Sequence, residues 1–235
     1  MSSNRMSHGA IIVSHGQPSD PDPAEATLAE LAARVAALLP DWSIVSATLA
    51  KSGALEVAVE KTGTDALIYP LFMTDGWFTR TMLPKRLGRE DAYILPPLGT
   101  DPALPDVATA YLEAELAQRG WVANKTHLII ASHGSGKSRN SARDTERFVE
   151  ALAGRMQFAD IRAGYIEEPP FLKDAAQIET TQAICLPFFA AQGGHVIDDI
   201  PEALNQAGFG GSRLDPIGTH PRIPSMIAAA LRANI

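Results

Sequence analysis

Cysteine is almost absent. Cys185 is the only one in 235 residues, so no internal disulfide can form, and its place inside the apolar stretch 183–191 leads us to expect a buried, inert thiol. Long apolar runs are missing too: the longest, such as 128–131 and 183–191, fall far short of the roughly 20 residues that span a bilayer. Basic charge is scarce, with 20 Lys plus Arg against 27 Asp plus Glu, a net charge of −7 and no basic run. A phosphate backbone is therefore a poor main partner. Residues 1–8 are polar, with one Arg and no apolar stretch, and do not read as a signal peptide. The expectation is a cytoplasmic protein with no nucleic-acid or membrane partner.

What is present is an ordinary globular composition, 46% hydrophobic and 20% charged, and a chain that repeats itself at an offset of about 118 residues. Ile12-Val13-Ser14-His15-Gly16 matches Ile130-Ala131-Ser132-His133-Gly134. Pro70-Leu71-Phe72 matches Pro187-Phe188-Phe189, and Pro84 then matches Pro201. Gly99-Thr100-Asp101-Pro102 matches Gly218-Thr219-His220-Pro221, each before an Ala-rich segment. Four matches in one order define two repeats, 9–119 and 126–235, joined by 120–125.

Within each repeat, apolar runs of strand length alternate with stretches of helical period, the pattern of βαβ units and a parallel sheet. In the second repeat strands are expected near 127–132, 160–166, 182–188 and 212–216, and helices near 139–154, 170–177, 197–206 and 222–233. The first repeat follows the same plan, with strands near 10–14, 43–49, 65–71 and 92–95. The predicted fold is α/β: two similar domains, each a four-stranded parallel sheet flanked by helices, with a cleft between them. Ligands in such sheets sit beyond the carboxyl ends of the strands, where both Ser-His-Gly motifs fall.

His133 ends the first strand of the second repeat, and His195 follows Gly193-Gly194 beyond the third. Parallel neighbouring strands bring the two imidazoles to one rim. Glu167, or the adjacent Glu168, lies just beyond the second strand. Two imidazoles and a carboxylate suit a divalent ion such as cobalt, iron or nickel, and a neutral imidazole also accepts a proton near neutral pH.

His133-Gly134 at one strand end, Tyr165-Ile166-Glu167 at a second, Pro187-Phe188-Phe189-Ala190-Ala191-Gln192-Gly193-Gly194-His195 at a third, then Asp198-Asp199-Ile200-Pro201 and Gly218-Thr219-His220-Pro221, resemble the class II chelatases of the sirohydrochlorin cobaltochelatase and ferrochelatase type. The resemblance covers nearly the whole chain as two tandem copies. It implies insertion of cobalt or iron into sirohydrochlorin or a related tetrapyrrole, in cobalamin or siroheme biosynthesis. His133, His195 and Glu167 would be both metal ligands and catalytic groups. No organic cofactor is implied, because metal and tetrapyrrole are both substrates. The cleft can form within one chain, so a monomer or a homodimer is consistent with it.

The first repeat departs from this pattern. Phe78 falls opposite His195, Trp77 opposite Gly194, and Thr48-Leu49-Ala50 opposite Tyr165-Ile166-Glu167, so only His15 survives of the three. Trp77 and Phe78 offer either a flat surface for a macrocycle or core packing, and His15 either faces the site or is a hydrogen-bonded strand-end histidine. Substrate-binding candidates around the second site are Ser135, Gly193 and Gly194, with Lys137 and Arg139 as cationic partners for a carboxylate-rich tetrapyrrole; Arg80, Lys85 and Arg86 occupy the matching region of the first repeat. His8, His127 and His220 read as structural or exposed.

Two other functions compete. Ala131-Ser132-His133-Gly134-Ser135-Gly136-Lys137-Ser138 nearly spells a phosphate-binding loop, but Ala131 replaces its first glycine and the equivalent loop of the first repeat has no Lys. A non-catalytic carrier of metal or tetrapyrrole would use the same residues as a chelatase.

Overall fold

Ala10 to Val13 and Leu128 to Ala131 are completely buried, as befits strands at the centre of parallel sheets covered on both faces. In the computed structural model, residues 8–89, 91–135 and 140–235 are described, without the side chains of Asn140 and Ser141. The elements run β1 (His8–Ser14), α1 (Pro21–Leu38), β2 (Trp42–Thr48), α2 (Ala54–Thr62), β3 (Leu67–Pro70), a π-helical turn (Phe78–Met82), α3 (Leu83–Leu87) and α4 (Leu104–Arg119). After these come β4 (His127–Ser132), α5 (Asn140–Ala153), β5 (Asp160–Tyr165), α6 (Leu172–Ala175), β6 (Ala183–Pro187), a second π-helical turn (His195–Asp199), α7 (Ile200–Gln206), β7 (Ser212–Arg213) and α8 (Ile223–Arg232).

Both sheets are parallel, ordered β2-β1-β3 and β5-β4-β6-β7. The expectation of four strands in each is corrected for the first sheet, which has three. Segment 92–95 reaches β3 through one bridge, Ile68 to Ile94, closed by Ile68 N–H on Tyr93 and Leu95 N–H on Ile68. Pro96 and Pro97 follow at once, and without N–H groups they cannot extend a ladder. In the second sheet the fourth strand forms, but over two residues only.

Each sheet is sealed by apolar helix faces. Leu55 and Ala58 of α2 and Leu83 of α3 pack on Ile11, Val13, Ala47 and Ile68. Leu172 of α6 with Val196, Ile200 and Leu204 packs on Ile129, Ala131 and Cys185. Helix α5 buries Phe148 and Leu152 as its period suggests, Phe148 lying 4.5 Å from Phe188 between ring centroids. It also buries Asp144, a polar group the pattern does not reveal, whose carboxylate accepts the backbone N–H of Asp75 at 3.0 Å.

The chain forms two compact units, and neither is continuous in sequence. One comprises 1–72, 76–97 and 222–235; the other 73–75 and 98–221. Thus α8 belongs with the first sheet, where it packs on α1 and β3, and α4 belongs with the second, where it packs on α5. Of the intervals 9–119 and 126–235, the first ends in α4, which lies in the unit of the second sheet, and the second ends in α8, which lies in the unit of the first sheet.

Candidate metal centre

Backbone hydrogen bonds carry the second sheet past its last ladder residues and set the site. Ile166 N–H donates to Ser132 and Glu167 N–H to His133, at 3.1 and 3.0 Å, while Phe188 N–H donates to Ala131 at 2.7 Å. Because β4 is central, with β5 and β6 on either side, His133, Glu167 and the loop after Pro187 reach one end of the sheet. Gly134 then turns the chain at φ 72°, a conformation that costs other residues about 1–2 kcal/mol. A Cβ there would also lie 2.9 Å from both Tyr165 Cβ and Glu168 Cγ.

His195 opens the second π-helical turn, anchored by Val196 and Ile200 in the core beneath it. Gly193 and Gly194 before it are exposed and leave open ground, with nothing within 4 Å of a Cβ at Gly193 and only an Asp198 carboxylate oxygen, 3.9 Å away, at Gly194.

Among the described residues, His133, Glu167 and His195 place one donor atom each within 4.8 Å of the others. Their side chains are about half-exposed, so the group is open to solvent and ligand. The rings stand at 90°, with centroids 4.4 Å apart and Nε2 atoms 2.9 Å apart. His133 Nε2 lies 3.9 Å from Glu167 Oε1. At each histidine the other nitrogen faces a group that can only accept: His133 Nδ1 the Gly134 carbonyl at 2.9 Å, His195 Nδ1 the Asp199 carboxylate at 2.5 Å. Nδ1 therefore carries the proton in both rings, which leaves the two Nε2 atoms, 2.9 Å apart, as the ring acceptors. Two acceptor nitrogens this close, with the Glu167 carboxylate beside them, form a donor group that can hold a metal ion.

The neighbours have different tasks. Glu168 accepts Ser135 N–H at 2.7 Å, which separates it from Glu167 as the carboxylate of the cluster. Tyr165 is buried, and burial, reinforced by the charges of Glu146 and Glu168, pushes its phenol up to about 12; it is a wall rather than a proton carrier near neutral pH. Cys185 is fully buried beneath the site and its thiol is likewise pushed up to about 12 by burial. Ser135 is half-buried beside the loop. Lys137 and Arg139 lie outside the described residues. His220 is apart from the three, its ring 4.8 Å from that of Tyr111. The sequence reading missed the tie between His195 and Asp199, although a His and an Asp four positions apart in one helical turn were the available signal.

The first unit contains the same frame with His15 alone of the three donors. Leu49 N–H donates to Ser14, Ala50 N–H to His15 and Leu71 N–H to Val13, so Ala50 stands where the other unit has Glu167. Gly16 has φ 74°, and His15 Nδ1 donates to the Gly16 carbonyl at 2.9 Å. The exposed His15 ring meets Phe78 edge-on, centroids 4.6 Å apart at 84°, as His133 meets His195. Phe78 also stacks near Phe72, and Trp77 beside it is 58% exposed.

The CbiX family model matches residues 127–234. A solved structure of CbiX, the terminal enzyme for biosynthesis of siroheme in denitrifying bacteria, is 45% identical, covering 97% of this chain and 100% of that one, with a TM-score of 0.89. The chain belongs to the CbiX family. A probable sirohydrochlorin cobaltochelatase of Halobacterium salinarum is 21% identical over 165 residues, 59% of this chain and 56% of that protein; the match thus spans little more than half of this curated relative. SirB from Bacillus subtilis, solved with Fe3+, shares the fold at 13% identity, with a TM-score of 0.73 over 96% of this chain and 94% of that one. Among the described residues, no helix is long and apolar enough to cross a membrane.

Proposed function

We propose that this protein is a metal chelatase that inserts cobalt or iron into sirohydrochlorin or a related tetrapyrrole, in cobalamin or siroheme biosynthesis. The observation that carries this reading is the convergence of His133, Glu167 and His195 within 4.8 Å in a chain of the CbiX family. His133, His195 and Glu167 would each offer one donor atom to the ion, leaving its remaining positions for pyrrole nitrogens. Two histidines and one carboxylate suit iron, cobalt and nickel alike. As the macrocycle takes the metal, the vacated Nε2 atoms accept the two pyrrole N–H protons, with Glu167 assisting. Exposed Gly193 and Gly194 let a flat ring approach the backbone beside His195, and half-buried Ser135, next to Gly134, is a further substrate contact.

We read the first unit as a degenerate copy of the second. The paired glycine turns, the matching strand-end hydrogen bonds and the two π-helical turns support a tandem repeat. Trp77 and Phe78 give that copy an aromatic surface suited to an apolar macrocycle, while His15 is tied to Gly16 and Phe78. The phosphate-loop reading is disfavoured by Glu168, whose carboxylate takes the Ser135 N–H that a phosphate would need.

Anaerobic absorbance of excess sirohydrochlorin with cobalt(II) or iron(II) tests the proposal. A chelatase converts many equivalents per protein, faster than the uncatalysed background; a carrier stops at one equivalent, which would overturn the assignment.

A further inference from the structure

Asp199 accepts Nδ1–H of His195 at 2.5 Å, across one π-helical turn. That turn is closed by Ile200 N–H donating to the His195 carbonyl, five residues back. A turn of this kind holds more residues than the 3.6 of an α-helix, which brings side chains four apart closer to one line along the axis. The first unit contains the same device, Leu83 N–H on the Phe78 carbonyl, but Phe78 stands in the place of His195 and Met82 in the place of Asp199. The π-helical turn therefore forms without the carboxylate. Acid and imidazole are present together in one copy and missing together in the other, so Asp199 serves the histidine and not the turn.

We propose that Asp199 is a positioning residue of the metal centre: by accepting Nδ1–H it holds the His195 ring in one tautomer and one orientation, with Nε2 presented to the incoming ion. This rests on the reading of His195 as a metal ligand. His133 needs no such partner, because the Gly134 carbonyl already performs the task from the backbone. Loss of a hydrogen-bonded partner behind an imidazole ligand typically costs about 10- to 100-fold in metal affinity or activity.

The test compares wild type with Asp199→Met, which copies the residue at Met82, with Asp199→Ala as a second truncation, and with Asp199→Asn, whose amide oxygen still accepts the hydrogen bond. Two readouts are taken: imidazole nitrogen-15 NMR shifts of the metal-free protein, and cobalt(II) affinity from its visible absorption. The expected result is a mixed tautomer at His195 in the Met and Ala variants, an unchanged His133, and cobalt(II) bound about 10- to 100-fold more weakly, with Asn restoring the tautomer and most of the affinity. An unchanged tautomer and affinity in the folded Met or Ala variant overturns the positioning role while leaving the ligand assignment intact. Failure of the wild type to bind cobalt(II) at these histidines removes the ligand assignment, and the inference with it.

Discussion

Gly134 and Gly16 are the residues whose replacement tests the strand-end geometry most simply. Each has a positive φ and a Cβ would strike its neighbours. Gly134→Ala should destabilise the protein by about 1–2 kcal/mol or more and misplace His133, read as a lower denaturation midpoint with weaker metal binding. Gly16→Ala should cost similar stability while leaving metal binding unchanged, because no donor trio depends on it. Cys185 offers a second residue-scale test. Burial penalises its thiolate and pushes the group up to about 12, whereas an exposed thiol ionises near 8.5. A disulfide reagent at pH 8 should leave the native protein unmodified and react with one thiol once the chain is unfolded; rapid labelling of the native state would contradict the burial. That His133, His195 and Glu167 come together was legible because each lies within two residues of a strand end or directly after a glycine pair, where sequence maps onto the sheet rim. Asp199 was not, because its role depends on a ring orientation that only the folded π-helical turn defines.

Elements were legible where burial is complete and obscure where it is shared. β1, β4 and β6 are continuous apolar runs and appear within a residue or two of their expected bounds. Segment 92–95 has the same apolar character, but the prolines after Leu95 restrict it to one bridge. The stretch expected as a helix over 170–177 forms only at Leu172–Ala175, since Pro169 and Pro170 confine its start. The helix expected from 197 begins earlier, as the π-helical turn carrying His195. A π-helical turn has no periodicity signal in five residues, so pattern reading passes over it.

At the scale of the whole molecule, each compact unit is assembled from separate stretches of the chain, with α8 in the unit of the first sheet and α4 in that of the second. Helix α8 buries Ile223, Met226, Ile227 and Leu231, each contributing about 1.5–3 kcal/mol, within the unit of the first sheet. Deleting 222–235 should therefore raise amide hydrogen exchange in α1 and β3 first, with β4 and β6 still protected. The opposite order would show that α8 supports the second sheet.

The central claim, that the donor trio of the second unit performs metal insertion, is tested most directly by His195→Phe. The first unit already places a phenylalanine at this point of its own π-helical turn, edge-on to a histidine, so the substitution is compatible with the fold. The measurement is the anaerobic rate of cobalt(II) or iron(II) insertion into sirohydrochlorin by the folded variant. The account expects a fall of roughly 100-fold or more, in line with the loss of a ligand that is also a proton acceptor; a folded His195→Phe protein with the wild-type rate would contradict it.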